Sequence, residues 1–293
     1  MSANTTPTPA SKPIYHAEAF ALDGDLARPF EQVIHPLANV KLPRSGGYLS
    51  ARVQDYRLQG VVSFRSAYTQ VAGTMSLKSK DNMTTLATSV IEDFNVLDIL
   101  TADRIVSQIH TDHPPSSYVP HVSFLGTRFE NLRIAGHPVK LELNTDFLGA
   151  RPPGDAFYGS DQSLRDRINA QRQSIEGEKN VALDISESYN QTPSKTGSPG
   201  WFGCSLVNYS KGFPADGSLP NPKEPEPFPG RCIGHVIDVP HFGKIYLAVL
   251  RVDESAQNTT ISLTMIKIRM GCSGSGPLNG GSTLVNGNTK GSG

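Results

Sequence analysis

The sequence predicts a mainly β protein, an antiparallel sandwich or distorted barrel that carries a mixed helix and loop insertion. Three observations predict it. Strand-length runs in which apolar and polar residues alternate fill residues 14–148. The same texture returns at 234–271. Between them it gives way to prolines, glycines and a single helical stripe. Period-two alternation places every second side chain on one face, as a half-buried strand requires.

Residues 1–13, a Thr/Pro/Ala stretch, read as a flexible leader. From Ile14 the residues Tyr15, Ala17, Ala19 and Ala21 alternate against Ile14, His16, Glu18 and Phe20, and Asp23-Gly24 is a turn signal. Pro29, Pro36 and Pro43 mark a loop-like passage up to Ser45-Gly46-Gly47. In the next strands Val62, Phe64, Ser66 and Tyr68 share a face, with Gly60 and Gly73 at bends or turns.

The most strongly patterned segment is Leu86 to Asn144. Ala87 to Ile109 is one long bent strand or two strands broken near Asp98. Val90, Ile91, Phe94, Leu97 and Leu100 also fit a helical stripe, but the enrichment in Thr, Val and Ile favours strand. Val139, Leu141 and Leu143 then alternate with Lys140, Glu142 and Asn144.

In the insertion, 149–233, Ser160-Asp161 can cap a helix from Gln162 to Glu176 whose narrow apolar face is Leu164, Ile168 and Ile175. Residues 181–186 read as a short strand, and six prolines crowd Phe213 to Gly230. The closing strands, 234–271, include one whose apolar phase shifts after Met265, implying a bulge or burial on both faces. The tail, 272–293, is flexible by composition, although Leu284-Val285 can dock locally.

Composition narrows the function. Over 293 residues, Lys+Arg and Asp+Glu are equal at 27 each, so no basic excess points to nucleic acid. No run approaches a membrane-spanning helix, and the N-terminus lacks the basic and apolar regions of a signal peptide. The setting is therefore the cytoplasm, or the cell surface or exterior if a signal has been removed. Five glycosylation sequons, at Asn4, Asn82, Asn190, Asn208 and Asn258, arise easily by chance in so Asn- and Thr-rich a chain.

Four groups of side chains are candidates for chemistry. His110, Asp112, His113 and His121 are good metal ligands by type, although no complete metal motif surrounds them. The alternative is a solvated polar loop. Trp201, Phe202, Tyr209, Phe213 and Phe228 form an aromatic group among prolines that can bind a partner or cover one end of the core. Cys204 and Cys232 could close the Pro-rich excursion as a disulfide contributing about 3–4 kcal/mol; buried thiols are the alternative. Glu92, Asp93, Asp98 and Asp103 offer carboxylates, with solvated strand positions as the plainer reading. No nucleophile elbow is present, and no cofactor is implied.

The runs ATSVIEDFNVLDILTADRIVSQ and FLGTRFENLRIAGHPVKLELN, with a closing IDVPHFGKIYLAVLRV and SLTMIKIRMG, resemble those of the uncharacterised, β-rich bacterial proteins of the choice-of-anchor type. That resemblance implies an exported scaffold that assembles, and carries over no catalytic residue. The expectation is a structural or adhesive extracellular or cell-surface protein whose partners are copies of itself. The alternatives are a carbohydrate- or ligand-binding module using the aromatic insertion, and a metal-dependent enzyme at His110–His121.

Overall fold

The computed structural model describes residues 14–28, 30–76, 82–114, 117, 119–154, 156–176, 200–208, 228–255, 258–271 and 276–286. They form two antiparallel sheets packed face to face, an open sandwich and not a closed barrel. The first sheet runs in the order β13 (Arg231–Ile233), β14 (Val236–Val239), β15 (Gly243–Ser255), β16 (Asn258–Met270), β17 (Gly276–Asn286), β1 (Ala17–Leu26), β2 (Gln32–Leu37). β12 (Gly200–Ser205) adds to β15, and β3 (Val40–Lys41) adds to β1. The second sheet runs β11 (His137–Pro138), β10 (Arg133–Ile134), β7 (Leu100–His113), β6 (Met83–Val96), β5 (Val62–Met75), β4 (Gly47–Leu58). β8 (His121–Ser123) and β9 (Arg128–Glu130) also pair with β7.

The stretch from Ala87 to Ile109 is two strands of one hairpin. Leu97 and Asp98 take positive φ at its turn, and Asn95 fixes that turn by accepting from the Asp98 N–H at 2.8 Å. Asp23-Gly24 does not turn: β1 runs straight through it, because a neighbouring strand lies close enough that a Cβ on Gly24 would sit 2.7 Å from the Pro277 carbonyl oxygen.

That neighbour is β17, the largest departure from the sequence reading. Gly276–Asn286 is not a flexible tail but a strand at the centre of the first sheet, paired on one side with β1 and on the other with β16. Its composition hid it. Small residues suit a position that faces the other sheet at close range: Ser107 and Thr283 share a hydrogen bond of 2.8 Å across the gap. Ser89 likewise donates to the Phe20 carbonyl at 2.9 Å, and Thr69 to that of Ala38. These hydroxyls are thus satisfied between the layers.

Both sheets carry one row at which pairing lapses, and the two rows fit each other. In the second sheet it crosses Asp55, Arg65, Asp93 and Asp103, with Asp55 and Asp93 at φ 52° and 53°. Inward positions are there three residues apart, as at Phe64 and Ala67 or Ile91 and Phe94. In the first sheet the row is Ala21, Gly281, Met265 and Ala248, and consecutive residues such as Met265 and Ile266 are both buried. This is the phase shift the sequence carries after Met265. Cβ atoms added at Gly280 and Gly281 would touch Ile91 and Phe94 at 3.6 Å and Ile105 at 3.4 Å, so the doubled inward row of one sheet fills the row that the other turns outward.

The insertion belongs to this sandwich. Its helix α1 (Gln162–Glu176) starts where expected: Asp161 accepts from the Ser163 and Leu164 N–H groups at 2.7 and 3.3 Å, and Leu164, Ile168 and Ile175 are buried. Glu254, at the end of β15, holds the adjoining turn by accepting from the Tyr158 and Gly159 N–H groups at 2.6 and 3.1 Å. The proposed strand over 181–186 lies outside the described residues.

Candidate functional site

The site is built by β4, the last strand of the second sheet. It has 12 residues, all ladder-paired to β5 on one side except Asp55, and no described strand pairs with its other side. The remaining ends of the sheets are short: three residues in β13, two in β11, six in β2 with Pro36 among them. Unpaired backbone N–H and C=O groups along a long edge are a template for another strand. β4 contains neither Lys nor Pro; it carries Arg52, Asp55 and Arg57 and breaks its ladder at Asp55, which leaves residues 47–54 as its longest regular run.

Its side chains follow the same logic. β1 packs over β5 and β6, and of the first sheet mainly the short β3 reaches β4 among the contacts between described elements, so β4 is only partly covered. Ala51, Val53, Tyr56 and Leu58 face inward but are only partly buried. Tyr48 and Leu49 are 63% and 42% exposed, and on the same flank Val33 of β2 is 51% exposed.

On the outer face, antiparallel register lines up Arg52 with Tyr68 and Val90, Ser50 with Gln70 and Thr88, and Ser66 with Glu92 and Arg104. These rows form a groove of about 480 Å³ lined by Tyr48, Ser50, Arg52, Tyr68, Gln70 and Glu92. Arg104 donates to the Tyr68 hydroxyl at 2.8 Å and so fixes that ring. Glu92 accepts from Ser66 at 2.7 Å and pairs with Arg65 at 3.3 Å.

The residues singled out from the sequence go elsewhere. His110 and Asp112 point outward from β7, with His121 opposite Asp112 on β8, but strand alternation turns His113 inward. Among the described residues no three His, Cys, Asp or Glu side chains come together to hold a metal ion. His113 is buried, its ring nitrogens have no hydrogen-bond partner among the described residues, and burial pushes its pKa down to about 4. His110 is also lowered by burial, against the pull of Asp112.

The described members of the aromatic group are spread over separate contacts. Phe202 is a core residue, and the Trp201 ring is covered by the Arg251 guanidinium 4.4 Å from its centroid, itself held by Asp253 at 2.8 Å. Phe228 packs edge-on against His137 at 5.6 Å. Tyr209 and Phe213 lie outside the described residues. Cys204 and Cys232 are free thiols, not the disulfide considered from their spacing; burial raises both, Cys232 to about 12, which keeps them as unreactive thiols. Asp93 and Glu92 are tied up with Arg65, and Asp103 accepts from Asn131 at 2.6 Å.

Sequence reasoning missed the groove because its residues alternate on strands whose order is set by long-range pairing. The available signal was weak: Tyr48, Ser50 and Arg52 share one face of a strand, and so do Tyr68 and Gln70.

Residues 14–253 match the family described as Domain of unknown function (DUF8256). The chain belongs to that family. No curated protein and no solved structure matches. The family span ends within β15, so β16 and β17, which complete the first sheet, lie beyond it.

Proposed function

We propose that this protein is a structural module that associates with copies of itself, edge to edge, through β4, at the cell surface or outside the cell. The observation that carries the reading is the long edge of β4, which no described strand pairs. A second copy paired there antiparallel would satisfy the open backbone groups of both strands and cover Leu49 and Val53. Zero net formal charge leaves little long-range repulsion between copies. No helix among the described residues is long and apolar enough to cross a membrane. Light scattering after size exclusion tests the association: the expected result is a mass that rises with concentration. A mass that stays that of one chain up to millimolar concentration contradicts it. Fractionation of the source cells tests the location, which the reading places in the surface or medium fraction.

A further inference from the structure

We propose that the groove on the outer face of the second sheet binds a neutral oligosaccharide, lying across β4, β5 and β6. The chemistry of its walls selects this class. The lining holds one cation, Arg52, and one anion, Glu92. The two balance, and the arginines beside them are engaged, Arg65 by Glu92 at 3.3 Å and Arg104 by the Tyr68 hydroxyl at 2.8 Å, so the lining offers an ion no net charge, and a polyhydroxyl ligand needs none.

Every other polar group in the groove suits hydroxyls, which donate and accept at once. Ser50 offers both functions, Gln70 an amide, Arg52 only donors and Glu92 only acceptors. Two tyrosines supply the flat apolar surface on which the C–H faces of a sugar ring can rest. They differ in preparation. Tyr68 is held in place by Arg104, while Tyr48 is exposed and makes only a long 3.4 Å hydrogen bond to Gln70. The first provides a preformed floor, and the second can adjust to the ligand.

The groove lies on the outer face of β4, and strand alternation turns Leu49 and Val53 to the other face, so the test can be made on the Leu49→Lys, Val53→Lys form designed not to associate. Isothermal titration with cellohexaose, xylohexaose, maltohexaose and chitohexaose, with a heparin hexasaccharide as the charged contrast, reads the binding. At least one neutral hexaose is expected to bind. Tyr68→Ala and Tyr48→Ala should each weaken it at least about tenfold, a loss of about 1.4 kcal/mol. Trp201→Ala should leave it unchanged. Tyr48 is exposed and outside the core, so its substitution keeps the test valid if Tyr68→Ala fails to fold. The proposal is overturned if no neutral hexaose binds at millimolar concentration, if only the heparin fragment binds, or if binding survives both tyrosine substitutions intact.

Discussion

The two sheets end in different ways. At β12 the first sheet is closed off by the insertion: α1 lies against the strand, and the buried Gln171 takes both backbone groups of Ser205, accepting from its N–H at 2.9 Å and donating to its carbonyl at 2.8 Å. One side-chain amide there replaces a neighbouring strand. At β4, in the second sheet, nothing among the described residues does the same over a strand twice as long, 12 residues against six. Among the described residues the fold covers an edge in this way at β12 and not at β4, and the proposed association rests on that difference.

The comparison can be broken most severely at neither end. Ending the chain after Gly271 removes β17 and exposes the sides of β1 and β16 in the middle of the first sheet. The truncated chain is expected to be insoluble or unfolded, with no cooperative urea transition. A soluble chain with a normal transition would mean that β17 is dispensable. The family span, which stops at residue 253, makes this the most exposed expectation of the fold.

Acid gives the next largest effect. The folded pKa of His113 lies near 4, below its ordinary 6.5, because burial disfavours the charged ring. The unfolded chain therefore takes up a proton between those values that the fold refuses. Stability is full above pH 6.5 and falls as the pH drops towards 4, by about 3 kcal/mol for a shift of this size. His235, pushed down to about 3 by burial, adds to the same acid loss. Urea midpoints at pH 7 and pH 4.5 should differ less in His113→Leu than in the unsubstituted chain. An equal difference would place the acid sensitivity elsewhere.

The covered edge itself gives the smallest effect. Gln171→Ala leaves the N–H and carbonyl of Ser205 buried without their partners, at a cost of about 1–3 kcal/mol. The urea midpoint should fall accordingly, and Gln171→Glu should not restore it, since a carboxylate cannot donate to the carbonyl. An unchanged midpoint in Gln171→Ala would show that α1 does not close this edge.

What the sequence disclosed divides along the same line. Local signals were legible: the alternation of Ala17, Ala19 and Ala21, the Asp161 cap with Leu164, Ile168 and Ile175 behind it, and the phase shift at Met265. Each depends on neighbours in the chain. Non-local facts were not. That Gly280 and Gly281 pack against Ile91 and Ile105 explains why so plain a segment is a central strand, but only the pairing of residues far apart reveals it. The metal candidate failed for a local reason that was available: in a strand, His110 and Asp112 share a face that His113 cannot. The β4 groove was illegible because Tyr48, Tyr68 and Glu92 become neighbours only through register.

The central claim rests on the bare edge, and sedimentation equilibrium of the full chain beside its Leu49→Lys, Val53→Lys form tests it most directly. Lysines facing inward on an edge strand oppose pairing with a second sheet while leaving the β4 to β5 ladder in place. The expected result is association in the unsubstituted chain and a single-chain mass in the double variant, with the same circular dichroism. Association of equal strength in both would contradict the account.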